Sequence, residues 1–493
     1  MGSTNEELEI KVRKLELANA KLIKEKRNQK KDSNAEHRKL LKSKNEMRTS
    51  RDHWRDKCLG FNASGGDLQP SKLLPIAKTE KIIGHKYSES TGRLCVNMYL
   101  LGGCGFRGVV RMLEHLRFSS HLNMPQIPCK SSIENWVMKC GHFTYTHPDL
   151  SKYASGYALI IDECMVIGQE RMLIILAIEV IKGCAEPLNL SQAEVISIAV
   201  KPSWTGEQVK EIFQKVAEKV GRKAEYIICD GGTNLGKGIT DYGGLRICDC
   251  GHEMARQTEQ VYKEEERYTS FCKAAGQAKL KEVMKETSYL TPPKQRSVAR
   301  FMNLSFLVDW GKKMLKKLDS FSVTDQNAFG WIKEHKGKIG ELDDVVALSN
   351  SILKLLKTNG LSHKTIKECE SICSCFAQKA VGCASKWIAK VQQYLHNEFN
   401  KLPDATTIWH ASSDIIESLF GLYKAHKADN AMYGVTPFVL TLSAMTKIDA
   451  EKPIINIDIK AALEGTYMAD LHQWNKENLI ENQVVRRRKA LKI

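Results

Sequence analysis

The sequence predicts a multidomain protein with an α/β core, helical modules before the core and a large all-α insertion within it. Three observations predict this class. Short apolar runs of strand length alternate with helical periodicity over residues 153–263, residues 264–403 have helical periodicity throughout, and residues 5–57 are charged, proline-free and heptad-patterned. With 493 residues, 42% of them hydrophobic, the chain is long enough for several domains with their own cores.

Residues 1–59 are predicted to form a basic coiled-coil helix. Leu8, Leu15 and Leu22 recur every seven residues, which puts leucine at position d and leaves Val12 and Asn19 at position a. A buried Asn at a favours a two-stranded coiled coil, so we expect a homodimer or a higher oligomer. A solvated single helix is the alternative. Residues 60–80, which contain several glycines and prolines, are predicted to be a linker.

Residues 81–148 predict a helix-turn-helix-like DNA-binding domain, with a plain three-helix bundle as the alternative. A glycine-rich turn separates two helical segments, and a later helix is expected to begin with Ser131 or Ser132 as its N-cap. The apolar positions of that later helix predict a buried stripe. Three polar residues outside the stripe are expected to contact DNA: Lys130, Asn135 and Lys139.

Residues 153–263 predict the first part of the core. Apolar runs at 157–162, 171–180 and 193–200 are expected to form an antiparallel meander. Thr205 caps a predicted helix that ends near Val220, and further strands are expected at 224–230 and 245–248. A helix follows from His252 to about Lys263. The order βββαβαβα is that of the ribonuclease H-like fold.

The catalytic carboxylates of that fold come from the first strand, the end of the fourth strand and a late helix. Asp162 and Asp230 stand at the first two places. Glu417 supplies the third, because it lies among apolar residues on a predicted helix within 404–450, the last part of the core. Asp414, about one turn earlier, is the rival third acid, although an acid near a helix start is also favoured by the helix dipole.

Four motifs resemble those of DDE transposases of the bacterial insertion-sequence kind. They are Ile161-Asp162-Glu163, Cys229-Asp230-Gly-Gly-Thr-Asn234, Asp249-Cys-Gly-His252-Glu-Met-Ala and Ser413-Asp-Ile-Ile-Glu417-Ser-Leu-Phe-Gly. The resemblance covers most of residues 80–430. It implies metal-dependent cleavage and strand transfer at transposon ends, with two Mg²⁺ or Mn²⁺ ions held by Asp162, Asp230 and Glu417. It also implies that His252 lies by the active site, near the scissile phosphate; a histidine that merely starts a helix is the alternative.

The resemblance further implies that residues 264–403 are an all-helical insertion. Arg296 and Arg300 are expected to contact DNA there. Trp310 and Trp331 are candidates to stack on an unpaired base, with a place in the core as the alternative. Residues 451–493 are predicted to be a C-terminal basic tail, which includes the cluster Arg486-Arg-Arg-Lys489.

The overall charge favours a polyanionic partner, here the double-stranded DNA of transposon ends and target. Lys and Arg number 74 against 57 Asp and Glu, a formal charge of +17. The 15 cysteines are scattered and odd in number, which indicates a reducing compartment. No apolar run is long enough to predict a membrane span, and a charged N-terminus argues against secretion. We expect the cytoplasm or nucleoid of a bacterium, or the nucleus of a eukaryote.

Two alternative functions fit the same sequence. A nuclease or resolvase on a ribonuclease H-like core would cut DNA without rejoining it, and the three acids do not distinguish it from a transposase. A domesticated, non-catalytic DNA-binding regulator would keep the scaffold and lose the chemistry, which a substitution beside the metal ligands could cause.

Overall fold

The structure is a computed structural model that describes residues 81–119, 121–122, 124–166, 170–295, 301, 303–426, 434–449, 452, 454–481 and 483–491. All of them belong to one compact unit, Leu74–Ile493. The predicted coiled coil and linker, and the predicted DNA contacts Arg296 and Arg300, lie outside the described residues.

A five-stranded mixed sheet forms the centre of the α/β part. Its strands are β1 (Tyr157–Val166), β2 (Glu170–Glu179), β3 (Ala193–Lys201), β4 (Tyr226–Cys229) and β5 (Arg246–Cys248), in the spatial order β3-β2-β1-β4-β5. The first three strands are antiparallel neighbours, whereas β4 pairs parallel to β1 and β5 pairs parallel to β4. The predicted meander and both later strands are therefore confirmed.

From β1 to the helix after β5, the strands and helices follow the predicted order βββαβαβα. Before the sheet lie α1 (Glu89–Leu100), α2 (Phe106–Phe118) and α3 (Lys130–Thr146). After β3, β4 and β5 in the chain come α4 (Gly206–Val220), α5 (Thr233–Tyr242) and α6 (Cys250–Tyr262), respectively. The Thr205 hydroxyl accepts a hydrogen bond from the backbone N–H of Gln208 and Gln208 caps in return, as the capping pattern predicts.

Alternate residues of each strand pack against different helices. On one face Leu159 and Ile161 join the core formed with α4 and α5, which includes Val209 and Phe213. On the other face Ala158 and Ile160 join the larger core, which also contains residues of the helices before the sheet and of the insertion. Because side chains alternate along a strand, Asp162 shares the face of Ile160.

Residues 266–399 are helical almost throughout, as predicted. The α-helices are α7 (Glu266–Glu282), α8 (Leu304–Lys317), α9 (Val323–Phe329), α10 (Lys336–Asn359), α11 (His363–Ala377) and α12 (Gly382–Phe399). Short 3₁₀ turns join some of them, at Glu286–Leu290, Leu318–Ser320 and Gly330–His335. Helices α10 and α12 pack on α6, so the insertion rests on the helix that follows the sheet.

The chain then returns to the sheet through residues 409–413 and enters α13 (Asp414–His426). Trp409 stacks on Tyr226 of β4 with ring centroids 4.6 Å apart, and the Tyr226 hydroxyl accepts a hydrogen bond of 3.0 Å from the His410 N–H. The Cys250 N–H donates to the Ala411 carbonyl at 2.8 Å. These contacts fix the start of α13 against β4 and the start of α6.

Helix α3 lies at the centre of the N-terminal helical module. It packs against α1, α2, α14 (Thr441–Met445), α15 (Ile459–Gly465) and α16 (Met468–Asn478). At Gly141 the approach is so close that a Cβ would lie 2.5 Å from the Leu440 carbonyl oxygen. The sequence predicts one buried stripe on this helix, and the structure packs partners around more of its circumference.

The predicted C-terminal tail is wrong for residues 459–478. Helices α15 and α16 bury Ile459, Leu463, Leu471 and Trp474, and they pack on α1 and α3. The remaining helix, α17 (Gln483–Leu491), carries the predicted basic cluster and has no buried residue.

The described part of the chain contains neither a membrane-spanning helix nor a disulfide bond. None of its helices is both long and apolar enough to cross a membrane. Its cysteines are free thiols, for example Cys95, Cys229 and Cys250 in the core.

Candidate active site

Two carboxylates meet where β1 and β4 lie side by side. Ile161 pairs with Cys229 across the parallel strands. Asp162 directly follows Ile161, and Asp230 directly follows Cys229. Neighbouring strands are about 4.8 Å apart, so the two acids are close neighbours on one face of the sheet. The Asp230 carboxylate accepts a hydrogen bond of 2.9 Å from the Gly232 N–H, which holds it in the turn after β4. Arg246 donates to the Asp230 backbone carbonyl at 2.7 Å.

The third predicted acid lies beside the predicted histidine. His252 Nε2 of α6 is 3.4 Å from Glu417 Oε1 of α13. The His252 side chain is 33% exposed and that of Glu417 is 53% exposed, so this polar pair opens to solvent while its neighbours Ile416 and Leu419 are fully buried. The contact joins residues 165 positions apart in the chain.

Asp249 positions both helices of this pair. One oxygen of its buried carboxylate accepts from the His252 N–H at 2.7 Å and thereby caps α6. The other oxygen accepts from the Ser413 N–H at 2.6 Å and from the Ser413 hydroxyl at 3.0 Å. A single carboxylate thus ties the first turn of α6 to the residue before α13.

The electrostatics join the four predicted residues into one site. Burial, and next the negative charge of Asp230, raise the pKa of Asp162 to about 6. The hydrogen bond to Glu417 raises the pKa of His252 to about 9. The same bond lowers the pKa of Glu417. The site at neutral pH therefore combines carboxylate charge with one imidazolium.

Two other acids close to these positions are paired elsewhere. Glu163 accepts a hydrogen bond of 2.8 Å from Arg171 of β2, and it alternates to the face opposite Asp162. Asp414, the rival third acid, pairs with Lys357 of α10 at 2.5 Å. The partner considered for Glu417 from sequence was Lys424, but the observed partner is His252.

The donor set suits a hard divalent cation, although its members are not gathered around one point. Carboxylate oxygens are the ligands that Mg²⁺ and Mn²⁺ favour, and burial together with the charge of Asp230 raises the pKa of Asp162. No group of three His, Cys, Asp or Glu side chains in the described ranges is arranged to hold a metal ion. Glu417 is instead hydrogen-bonded to His252.

The predicted DNA contacts of α3 are corrected in part. Lys139 is buried and donates to the Leu463 carbonyl of α15 at 3.1 Å, so it is not available to DNA. Asn135 is half-buried, and Lys130 is exposed but paired with Glu134. The helix begins at Lys130 with Cys129 as N-cap, so the predicted Ser131 or Ser132 cap is also wrong.

The tryptophans of the insertion belong to its interior packing. Trp310 and Trp331 stack with ring centroids 6.1 Å apart, and Trp310 Nε1 donates to the Leu290 carbonyl at 3.0 Å. The structure therefore favours a role in core packing for Trp310 and Trp331 over stacking on a base.

Asp249 and Ser413 are the residues that sequence reasoning missed as positioning groups. Asp249 precedes a predicted helix, and the preference of Asp for the N-cap position was the signal that could have found it. Its bond to Ser413 carries no such signal, because the two residues are 164 positions apart.

The chain matches no model of a known protein family, and a comparison with curated proteins finds no match.

Proposed function

We propose that the protein is a DDE-type DNA transposase with a ribonuclease H-like core, acting on the double-stranded DNA of transposon ends and target. The single observation that carries the proposal is the position of Asp162 within β1 beside Asp230 at the end of β4, with the helix that carries Glu417 packed on β1. The strand order β3-β2-β1-β4-β5, with only the first three strands antiparallel, is the order expected of that core.

Asp162, Asp230 and Glu417 are the residues that would hold two Mg²⁺ or Mn²⁺ ions. When bound, such ions activate the attacking water or 3′-hydroxyl and stabilise the leaving oxygen in phosphoryl transfer. Asp162 lies between the other two acids in this scheme, and its neighbour Asp230 is fixed by the turn through Gly232. To hold an ion, Glu417 would give up its hydrogen bond to His252.

His252 has a positioning role in the proposed site. It holds the carboxylate of Glu417 through Nε2, and Asp249 fixes the backbone from which it extends. As an imidazolium it also partly neutralises the acidic cluster, which favours the approach of a phosphate. Its half-open position leaves the ring accessible to DNA.

The regulator remains a second candidate, because one observation favours it. Glu417 is engaged by His252, and no set of three ligands in the described structure is arranged for a metal. In a protein that binds DNA and never cuts it, Glu417 would stay hydrogen-bonded to His252 and would never hold a metal ion.

The test uses the full chain and a DNA fragment that carries its coding region with the flanking DNA on both sides. We expect nicking and strand transfer with Mg²⁺ or Mn²⁺, and their loss in Asp162→Asn, Asp230→Asn and Glu417→Gln. Matched controls are Glu163→Gln and Asp414→Asn, which remove a carboxylate one and three residues away and should keep activity.

Three outcomes distinguish the proposals. Loss in the three variants with activity kept in both controls supports the transposase. Wild-type protein that binds this DNA without cutting it under either ion supports the regulator. Activity lost in Asp414→Asn and kept in Glu417→Gln would make Asp414 the third acid.

A further inference from the structure

Helix α2 presents three exposed arginines that have no partner within the described structure. Arg107, Arg111 and Arg117 lie on the outward side of the helix, and no hydrogen bond or ion pair joins their side chains to any described residue. At 100° per residue, Arg107 and Arg111 are about 40° apart, and Arg117 is about 80° to the other side of Arg107. We call these three residues the α2 arginine face.

The inward side of the same helix is firmly attached. Val109 and Leu113 are fully buried, and Phe106 stacks on Tyr99 of α1 at 4.0 Å with the rings nearly parallel. The outward arc between the arginines holds a single acid, Glu114. The helix therefore has an apolar anchor and a cationic outer surface with little internal neutralisation.

The position of Arg107 costs stability if it has no partner. Gly105 caps α2 without a side-chain hydrogen bond, and the first turn contains no acid. A cation in the first turn is repelled by the positive end of the helix dipole. Free N–H groups, the dipole and Arg107 together make this end of α2 electropositive, which is the arrangement that attracts a phosphate.

The α2 arginine face is also tied to the proposed active site through one short path. Phe106 stacks on the ring of Tyr99. The backbone carbonyl oxygen of Tyr99 lies 2.9 Å from His426 Nε2. His426 ends the helix that carries Glu417, and the rise along the helix from Glu417 to His426 is about 14 Å. An anion on α2 would thus be held at a fixed distance from Glu417.

We propose that the α2 arginine face binds the phosphate backbone of double-stranded DNA. The proposal rests on the proposed function for the identity of the polyanion and goes beyond it in moving the contact from α3 to α2. Guanidinium groups pair with phosphate through two parallel N–H donors, and three of them on one helix can follow a backbone strand. The formal charge of +17 agrees with this partner.

The test is binding of the full chain to a fluorescent 30-base-pair duplex at several salt concentrations. Wild type is compared with Arg107→Ala/Arg111→Ala, and a matched control removes two exposed cations of α11, Lys364→Ala/Lys367→Ala. Each lost phosphate contact should reduce the slope of log K against log salt by about 0.9. We therefore expect the arginine variant to lose about 1.8 in slope and roughly 10–100-fold in affinity at 0.1 M salt.

Two further measurements keep the result interpretable. Arg107→Lys/Arg111→Lys keeps both charges and should keep the slope, and thermal melting should show that every variant folds. A slope for the arginine variant equal to that of the lysine control overturns the inference and leaves DNA binding elsewhere on the protein. If the wild-type protein fails to bind the duplex at every salt concentration above 50 mM, both the inference and the proposed function are overturned.

Discussion

Replacing Asp249 should loosen the junction between α6 and α13. In Asp249→Ala, α6 loses its N-cap, which costs about 1 kcal/mol. The buried Ser413 N–H also loses its acceptor, and an unsatisfied buried donor costs about 1–3 kcal/mol. The expected loss in the free energy of unfolding is therefore about 2–4 kcal/mol. Asp249→Asn should cost nearly as much, because its amide NH₂ turns one acceptor into a donor facing other donors.

Urea unfolding measures this loss, and the chain offers a matched control. Asp404 also accepts three hydrogen bonds, from the N–H and hydroxyl of Thr406 and the hydroxyl of Thr407, but it is exposed. Asp404→Ala should cost clearly less than Asp249→Ala, because water replaces the lost partner. If Asp249→Ala costs no more than Asp404→Ala, the two oxygens of Asp249 do not hold the two helices together and the reasoning fails.

Three further predictions concern stability. Burial lowers the pKa of His410 to about 4, below the 6.5 of the unfolded chain, so the unfolded state binds more protons between these values; stability should fall by about 1–3 kcal/mol as pH falls from 6.5 to 4, and in His410→Gln the part of this loss due to His410 should be absent from unfolding curves taken across that range. Trp331→Ala should destabilise the protein by about 2–4 kcal/mol through the cavity left beside Trp310, with duplex affinity unchanged in the same salt titration; weakened DNA binding without loss of stability would restore the stacking role. Gly141→Ala should separate α3 from Leu440, whose carbonyl would be 2.5 Å from the new Cβ, and lower the melting temperature clearly more than Gly276→Ala, where a Cβ meets no atom within 4 Å; equal effects would contradict the close packing.

The sheet could be predicted from sequence because its signals are local. Each strand is a short apolar run bounded by turn residues, and the capping pattern at Thr205 and Gln208 marks the helix after β3. The places of Asp162 and Asp230 follow from the same runs, since each acid stands at the end of an apolar segment. Local periodicity therefore predicted both the elements and the places of two of the candidate site residues.

The contacts that depend on distant segments could not be predicted. Lys139 was expected on a free face of α3, because periodicity identifies only the stripe that packs on near neighbours. The partner that buries it, Leu463, lies 324 residues further along the chain. The contact between His252 and Glu417 has the same character, and its geometry depends on how the whole insertion folds back.

The insertion has a consequence for the order in which the protein is made. Asp162 and Asp230 emerge together with the sheet, but 187 positions separate Asp230 from Glu417. At a translation rate of about 5–20 residues per second, the ribosome needs roughly 10–40 s to add that stretch. During this interval the nascent chain carries two of its three acids and no late helix. Under the proposed function, a growing polypeptide therefore remains unable to cut the DNA around it until α13 has been synthesised and has docked on β4.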